Sequence, residues 1–159
     1  MDTENFWSSD AGHPPLTDEL IALAEERLSV KLPDAFIDLL RLQNGGYTHG
    51  LAHPMSEPTS WAKDHVPLDS LFGIDPDPDS RSCSNLLETE YMTKEWGLPE
   101  RQVLLCGDGH WWITLDYRKG PDPVVTWLDV ECDQDIQIAP SFEKFIAGLQ
   151  PDSDFDEEE

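Results

Sequence analysis

Among residues able to do chemistry, the densest group is Cys106, Asp108, His110 and Asp116. Asp108, His110 and Asp116 carry donors for a divalent cation, and His49, His53 and His65 add imidazoles. Their spacing argues against a metal site. His49 and His53 stand four apart, but Pro54 and the nearby glycines oppose the helix that would put both on one face. Cys106 and His110 have the types of a thiol nucleophile and its base. Cys106, however, closes the apolar run from Val103 and reads as a buried structural thiol. Carboxylate pairs abound, yet among 33 acids such pairs arise by chance and none is marked as acid and base. No P-loop, no GxGxxG and no GxSxG is present. Gly107-Asp108-Gly109 is too short to cradle phosphate, and its carboxylate opposes one. The expectation is a protein that is not an enzyme and uses no metal or cofactor; the weaker alternative is a metal-dependent hydrolase using Asp108, His110 and Asp116.

Binding chemistry is better represented. Side chains alternate across a strand, so Trp112, Thr114 and Asp116 share one face of the segment 111–117, and Val125, Trp127 and Asp129 share one face of 124–130. If Tyr117 pairs with Val124, Trp112 lies opposite Asp129 and Thr114 opposite Trp127. That face then combines two tryptophans with two aspartates. Its opposite, with Trp111, Ile113, Leu115 and Tyr117, reads as core. Tryptophan is a favoured interface anchor. The expected partner-binding set is Trp61, Asp108, His110, Trp112, Asp116, Trp127 and Asp129. The competing reading is that the loop 47–65 covers this face and buries both rings.

These residues need elements to position them. Thr17 can cap a helix with Asp18 and Glu19 in its first turn and Leu20, Leu23, Ala24 and Leu28 as its stripe. Pro33 opens a second helix with Phe36, Leu39 and Leu40 inward, and Asn44-Gly45-Gly46 closes it. Residues 47–65, with little periodicity, read as a long irregular connection. Residues 66–74 read as a strand or strand pair, and 75–80 as a break. A third helix is expected over 84–96 with Leu87 and Tyr91 on one face, stopped by Gly97-Leu98-Pro99. Strands follow at 103–106, 111–117, 124–130 and 136–138, and Ser141 caps a last helix with Phe142, Phe145, Ile146 and Leu149. Helices first and strands later predict an α+β domain over residues 1–150, followed by an acidic disordered tail, 151–159.

Composition bounds the partners. Ten basic residues face 33 acidic ones, a net charge of −23. The last nine residues hold six acids, and without them the body still carries −17. Such a surface repels phosphate backbones, which excludes direct nucleic-acid binding, and it steers basic protein partners. Acidity also serves solubility alone. Three widely spaced cysteines give no disulfide framework, the N-terminal residues do not read as a secretory signal, and no apolar run is long enough to span a bilayer. A cytoplasmic location is expected.

The ordered segments resemble the SUKH superfamily, which includes the fungal Smi/Knr regulators and many bacterial immunity proteins. The resemblance runs over about residues 16–149. It is carried by Leu32-Pro33-Asp34-Ala35-Phe36, Leu39-Leu40, Asn44-Gly45-Gly46, Leu71-Phe72-Gly73-Ile74, Trp96-Gly97-Leu98-Pro99, Gly107-Asp108-Gly109, Asp116, Val124-Val125, Trp127 and Ser141-Phe142-Glu143-Lys144-Phe145. His110-Trp111 departs from the glycine or small polar residue that usually continues the family's turn. The resemblance implies an antiparallel sheet flanked by helices and a non-catalytic role. Its bacterial members typically bind and neutralise a cognate polymorphic toxin, often a nuclease or deaminase. Its fungal members instead suggest a scaffold or regulator.

Overall fold

The computed structural model describes residues 6–8, 15–76, 85–107 and 110–155. Helix α1 (Asp18–Leu28) starts where Thr17 Oγ1 accepts the Leu20 amide at 3.2 Å. Asp18 and Glu19 near its positive end and Arg27 in its last turn complement the helix dipole. Ile21 and Ala24 are its buried residues, while Leu20, Leu23 and Leu28 are only half-buried. Helix α2 (Asp34–Leu42) buries Phe36, Leu39 and Leu40 as expected.

The glycines after α2 do a different job from the expected one. The helix is closed by Gln43 in extended conformation, not by a left-handed glycine. Gly45, at φ 89°, instead lets a second chain segment come close: a Cβ there would sit 2.6 Å from the Gly73 nitrogen. Asn44 completes the clasp. Its side chain donates to Ile74 O and accepts from Ile74 N, both at 2.8 Å.

Residues 47–65 are not one irregular connection. Strand β1 (Gly46–Pro54) pairs antiparallel with β2 (His65–Leu71), with a register shift between Tyr47 and Leu51 beside Gly50 at φ 78°. Glycines and polar histidines hide this strand from a periodicity argument, and the bulge breaks its alternation. Only about residues 55–64 form a loop, tied at its base by Met55 N donating to Asp64 O at 2.8 Å.

A tight turn at Leu86–Glu88 leads into α3 (Thr89–Trp96), so this helix begins later than expected. Leu86 and Thr89 are buried and Tyr91 is exposed, because Thr89 Oγ1 donates to Leu86 O and accepts from Leu104 N, pinning the helix start to the sheet. Gly97, left-handed at φ 66°, ends it. The expected break at 75–80 falls mostly outside the described residues, as does Cys83.

Strands β3 (Gln102–Gly107), β4 (Trp111–Asp116), β5 (Val124–Asp129) and β6 (Gln134–Ala139) make a four-stranded antiparallel meander in chain order. Helix α4 (Phe142–Ala147) follows, capped by Ser141, whose side chain accepts the Lys144 amide. Phe142 packs on Phe36 of α2 at 5.4 Å between ring centroids. A short strand, β7 (Gln150–Pro151), then joins β1 to give a second sheet of order β2-β1-β7. Phe72 N donates to Leu105 O at 2.7 Å and links the two sheets. The architecture is α+β, as the order of elements predicts.

Residues 151–155 of the expected tail are among those described. Asp152–Phe155 form a 3-10 turn, and the Phe155 ring stacks on His65 at 4.4 Å. The one apolar residue of this acidic stretch supplies the packing that its charge would otherwise prevent. Among the described residues, no helix is long and apolar enough to cross a membrane.

Candidate functional site

The β4–β5 register decides which tryptophans face each other. The observed pairs are Trp111↔Asp129, Trp112↔Leu128, Ile113↔Trp127, Thr114↔Thr126 and Asp116↔Val124. This is one residue away from the expected pairing, and a one-residue slip exchanges the faces of one strand relative to the other. Trp112 and Trp127 therefore lie on opposite faces, which corrects the expected shared surface. The β4–β5 pairing starts at Asp116, while the next residue, Tyr117, extends the β3–β4 pairing through its amide to Arg101 O at 2.8 Å and sends its hydroxyl to Lys31 O at 2.7 Å.

The face with Trp112, Thr114 and Asp116 is interior. Trp112 is buried, with its ring edge-on to Phe72, and it fills the space left by Gly107, where a Cβ would meet Trp112 Cε3 at 2.3 Å. Asp116 is the hub of a buried polar network. Its carboxylate accepts from Gln102 Nε2 at 2.8 Å, Thr126 Oγ1 at 3.2 Å and the Arg118 guanidinium at 2.7 Å. Thr114 Oγ1 donates onward to Gln102 Oε1 at 2.6 Å, and Arg118 reaches across to Asp135 at 2.7 Å. Burial pushes the Asp116 carboxyl up, but the hydrogen bonds and charge of Arg118 and the bond from Gln102 outweigh it, to about 2. The residue is a structural anion with its acceptor sites occupied.

The other face carries the tryptophan cluster. Trp111 stacks on Trp127 at 5.0 Å with planes 13° apart, and Trp61 leans on Trp111 at 5.7 Å and 58°. Exposure rises along the series: Trp127 is fully buried, Trp111 half-buried and Trp61 47% exposed. The loop reaches this face through Ser60 and Trp61, and its indole leans on Trp111, which in turn stacks on Trp127.

Polar contacts fasten this arrangement. Gln134 Oε1 accepts both Trp127 Nε1 at 3.0 Å and the Ser60 amide at 2.8 Å. Ser60 Oγ donates to Asp129 Oδ2. Asp129 Oδ1 accepts the amides of Glu131 at 2.9 Å and Cys132 at 3.1 Å, and lies 3.4 Å from His110 Nδ1. Burial pushes the Asp129 carboxyl up, but the bonds from Ser60, Cys132, His110 and Glu131 prevail and hold it below the usual range. Glu131, exposed, reaches within 3.8 Å of His110, the neighbour of Trp111 in the chain.

This chemistry suits recognition. Ser60 and His110 address opposite oxygens of one carboxylate, so the acid stands between them, unlike a relay in which histidine takes the serine proton. A carboxyl held below its ordinary range is a weak base. Burial pushes the Cys106 thiol far up, which keeps it protonated and unreactive. His53 stacks on Phe145, with its pKa lowered mainly by burial, while His65 pairs with Asp64, and His49 is exposed. Among the described residues, no group of three or more His, Cys, Asp or Glu is arranged to hold a metal ion.

Of the expected set, the structure brings together Trp61, His110, Trp127 and Asp129. It places Trp112 and Asp116 on the opposite face, and Asp108 lies outside the described residues. Sequence reasoning missed Trp111, Ser60 and Gln134. The adjacent pair Trp111-Trp112 was a usable signal, since neighbours in a strand place one indole on each face whatever the register.

The model of the SMI1 / KNR4 family (SUKH-1) matches residues 15–148, and the chain belongs to that family. No curated protein matches the chain.

Proposed function

We propose that this SUKH-1 protein is an immunity protein that acts inside a bacterial cell by binding and neutralising a cognate secreted toxin. The observation that carries the reading is the Trp61–Trp111 step, an aromatic edge clamped to Asp129, with the exposed Glu131 near His110, on a body of strongly negative charge. Half-open indoles held rigid lose little entropy on binding and make good anchors. The exposed carboxylate of Glu131 favours a lysine or arginine, which also stacks on indole faces. A basic nuclease or deaminase domain fits, because it already carries the charge that recognises nucleic acid. Trp61, His110 and Asp129 are kept as contact or positioning residues, with Trp111 and Glu131 added. Trp112, Trp127 and Asp116 are reassigned to the framework.

The second reading, a regulator or scaffold like the fungal members, rests on the same surface with a non-toxic partner. The test is capture of partners from the native organism, then co-expression of the captured protein with this chain. Rescue from a toxic partner by wild type, reduced for Trp61→Ala, supports immunity. A non-toxic partner, with altered growth or envelope on deletion, overturns it in favour of the regulator.

A further inference from the structure

We infer that the groove between α1 and α2 docks a short basic amphipathic helix. Residues of both helices line this groove, and Arg41 of α2 and Asp18 of α1, 2.8 Å apart, join them across one end. Toward the other end Glu25 accepts the Leu32 amide at 2.7 Å. Between these ties lies a cleft of about 490 Å³. Ile21, Ala22 and Ile37 supply its apolar lining, and Asp18, Glu25, Asp34 and Asp38 its carboxylates. Arg41, the one cation among the described residues lining it, is already engaged by Asp18.

The occupant follows from this chemistry. Both walls are helices whose backbone groups are used internally, so the cleft offers no ladder to an extended strand and must read side chains. From Asp18 to Glu25 the wall is about 10 Å long, room for about two helical turns. Apolar side chains one turn apart would meet Ile21 and Ile37, while lysines or arginines flanking them would meet the acids on either wall. A second copy of this chain presents the same acids and is repelled.

The probe is a fluorescein-labelled leucine–lysine peptide patterned at helical spacing, titrated by anisotropy against the full chain at about 150 mM salt. A shuffled peptide of equal composition controls for charge. The patterned peptide is expected to bind at least about tenfold more tightly than the shuffled one. Asp34→Lys/Asp38→Lys is expected to weaken it at least about tenfold, and Asp34→Asn/Asp38→Asn about threefold. Glu95→Lys/Glu100→Lys, with the same net charge but placed at and after α3, is expected to change it less than about threefold. If the lysine variant does not fold, the asparagine variant and methyl NMR decide. Shifts at Ile21 and Ile37 support the groove. Equal binding of both peptides, equal loss in both lysine variants, or methyl shifts confined to Ala62, the neighbour of Trp61 in the chain, overturn it.

Discussion

Trp61 stands 5.7 Å from Trp111 although fifty residues of chain separate them, and it is the more exposed of the two. The ring a partner would meet first therefore comes from a loop, while the rings beneath it belong to the sheet. Because each layer has a different burial, each tryptophan should fail in a different way when removed.

Trp61→Ala is expected to cost less than about 1 kcal/mol of stability in urea unfolding, since half of the ring is already in water. It should cost about 2 kcal/mol of partner binding by calorimetry, the scale of an interface anchor. Trp127→Ala and Trp112→Ala should each cost about 3–5 kcal/mol of stability, the range for truncating a buried aromatic. A stable Trp112→Ala protein with a selective binding defect would reverse the assignment of faces.

Acid should weaken the fold through Asp116. Its carboxyl is depressed in the folded state to about 2, below the ordinary value in the unfolded chain. The stabilisation is therefore fully present above the unfolded pKa of about 4 and is lost as pH falls towards 2. It amounts to about 1–2 kcal/mol, reduced because Arg118 is partly in solvent. Urea titrations of wild type and Asp116→Asn should show a stability gap at pH about 6 that narrows by that amount near pH 2. A gap independent of pH would remove the charged network as the cause.

Two left-handed glycines should respond differently to alanine. Gly97→Ala, where a Cβ meets nothing within 4 Å, should cost about 1–2 kcal/mol, the backbone term alone. Gly45→Ala adds a clash with Gly73 N and should cost clearly more, above about 2 kcal/mol, or prevent folding. Thermal unfolding of the pair checks this, and equal shifts would mean that the Asn44–Gly45 clasp yields easily.

Thiol labelling should separate the cysteines. In a Cys83→Ser background, a thiol reagent should modify the exposed Cys132 in the native state. Cys106, buried with its thiol pushed up, should react only as the protein unfolds. Rapid native labelling of Cys106 would reopen the question of a nucleophile there.

Local chemistry made much of this protein legible from its sequence. Thr17, Pro33, Gly97 and Ser141 marked helix ends because capping depends on residues a few positions apart. The apolar runs of β3 to β5 and the α+β order were visible for the same reason. Strand β1 was not, because a bulge and polar histidines break the alternation, and one of its two partners, β7, lies far along the chain. The site divided in the same way. Composition marked an acidic protein with tryptophans to spare, but the choice between Trp111 and Trp112 as partner of Trp127 turned on one residue of register. The observed pairing starts at Asp116↔Val124, one residue short of Tyr117, whose hydroxyl reaches Lys31 O. Side-chain direction in a strand has a period of two, so a shift of one residue exchanges core for surface, and only the folded chain decides which.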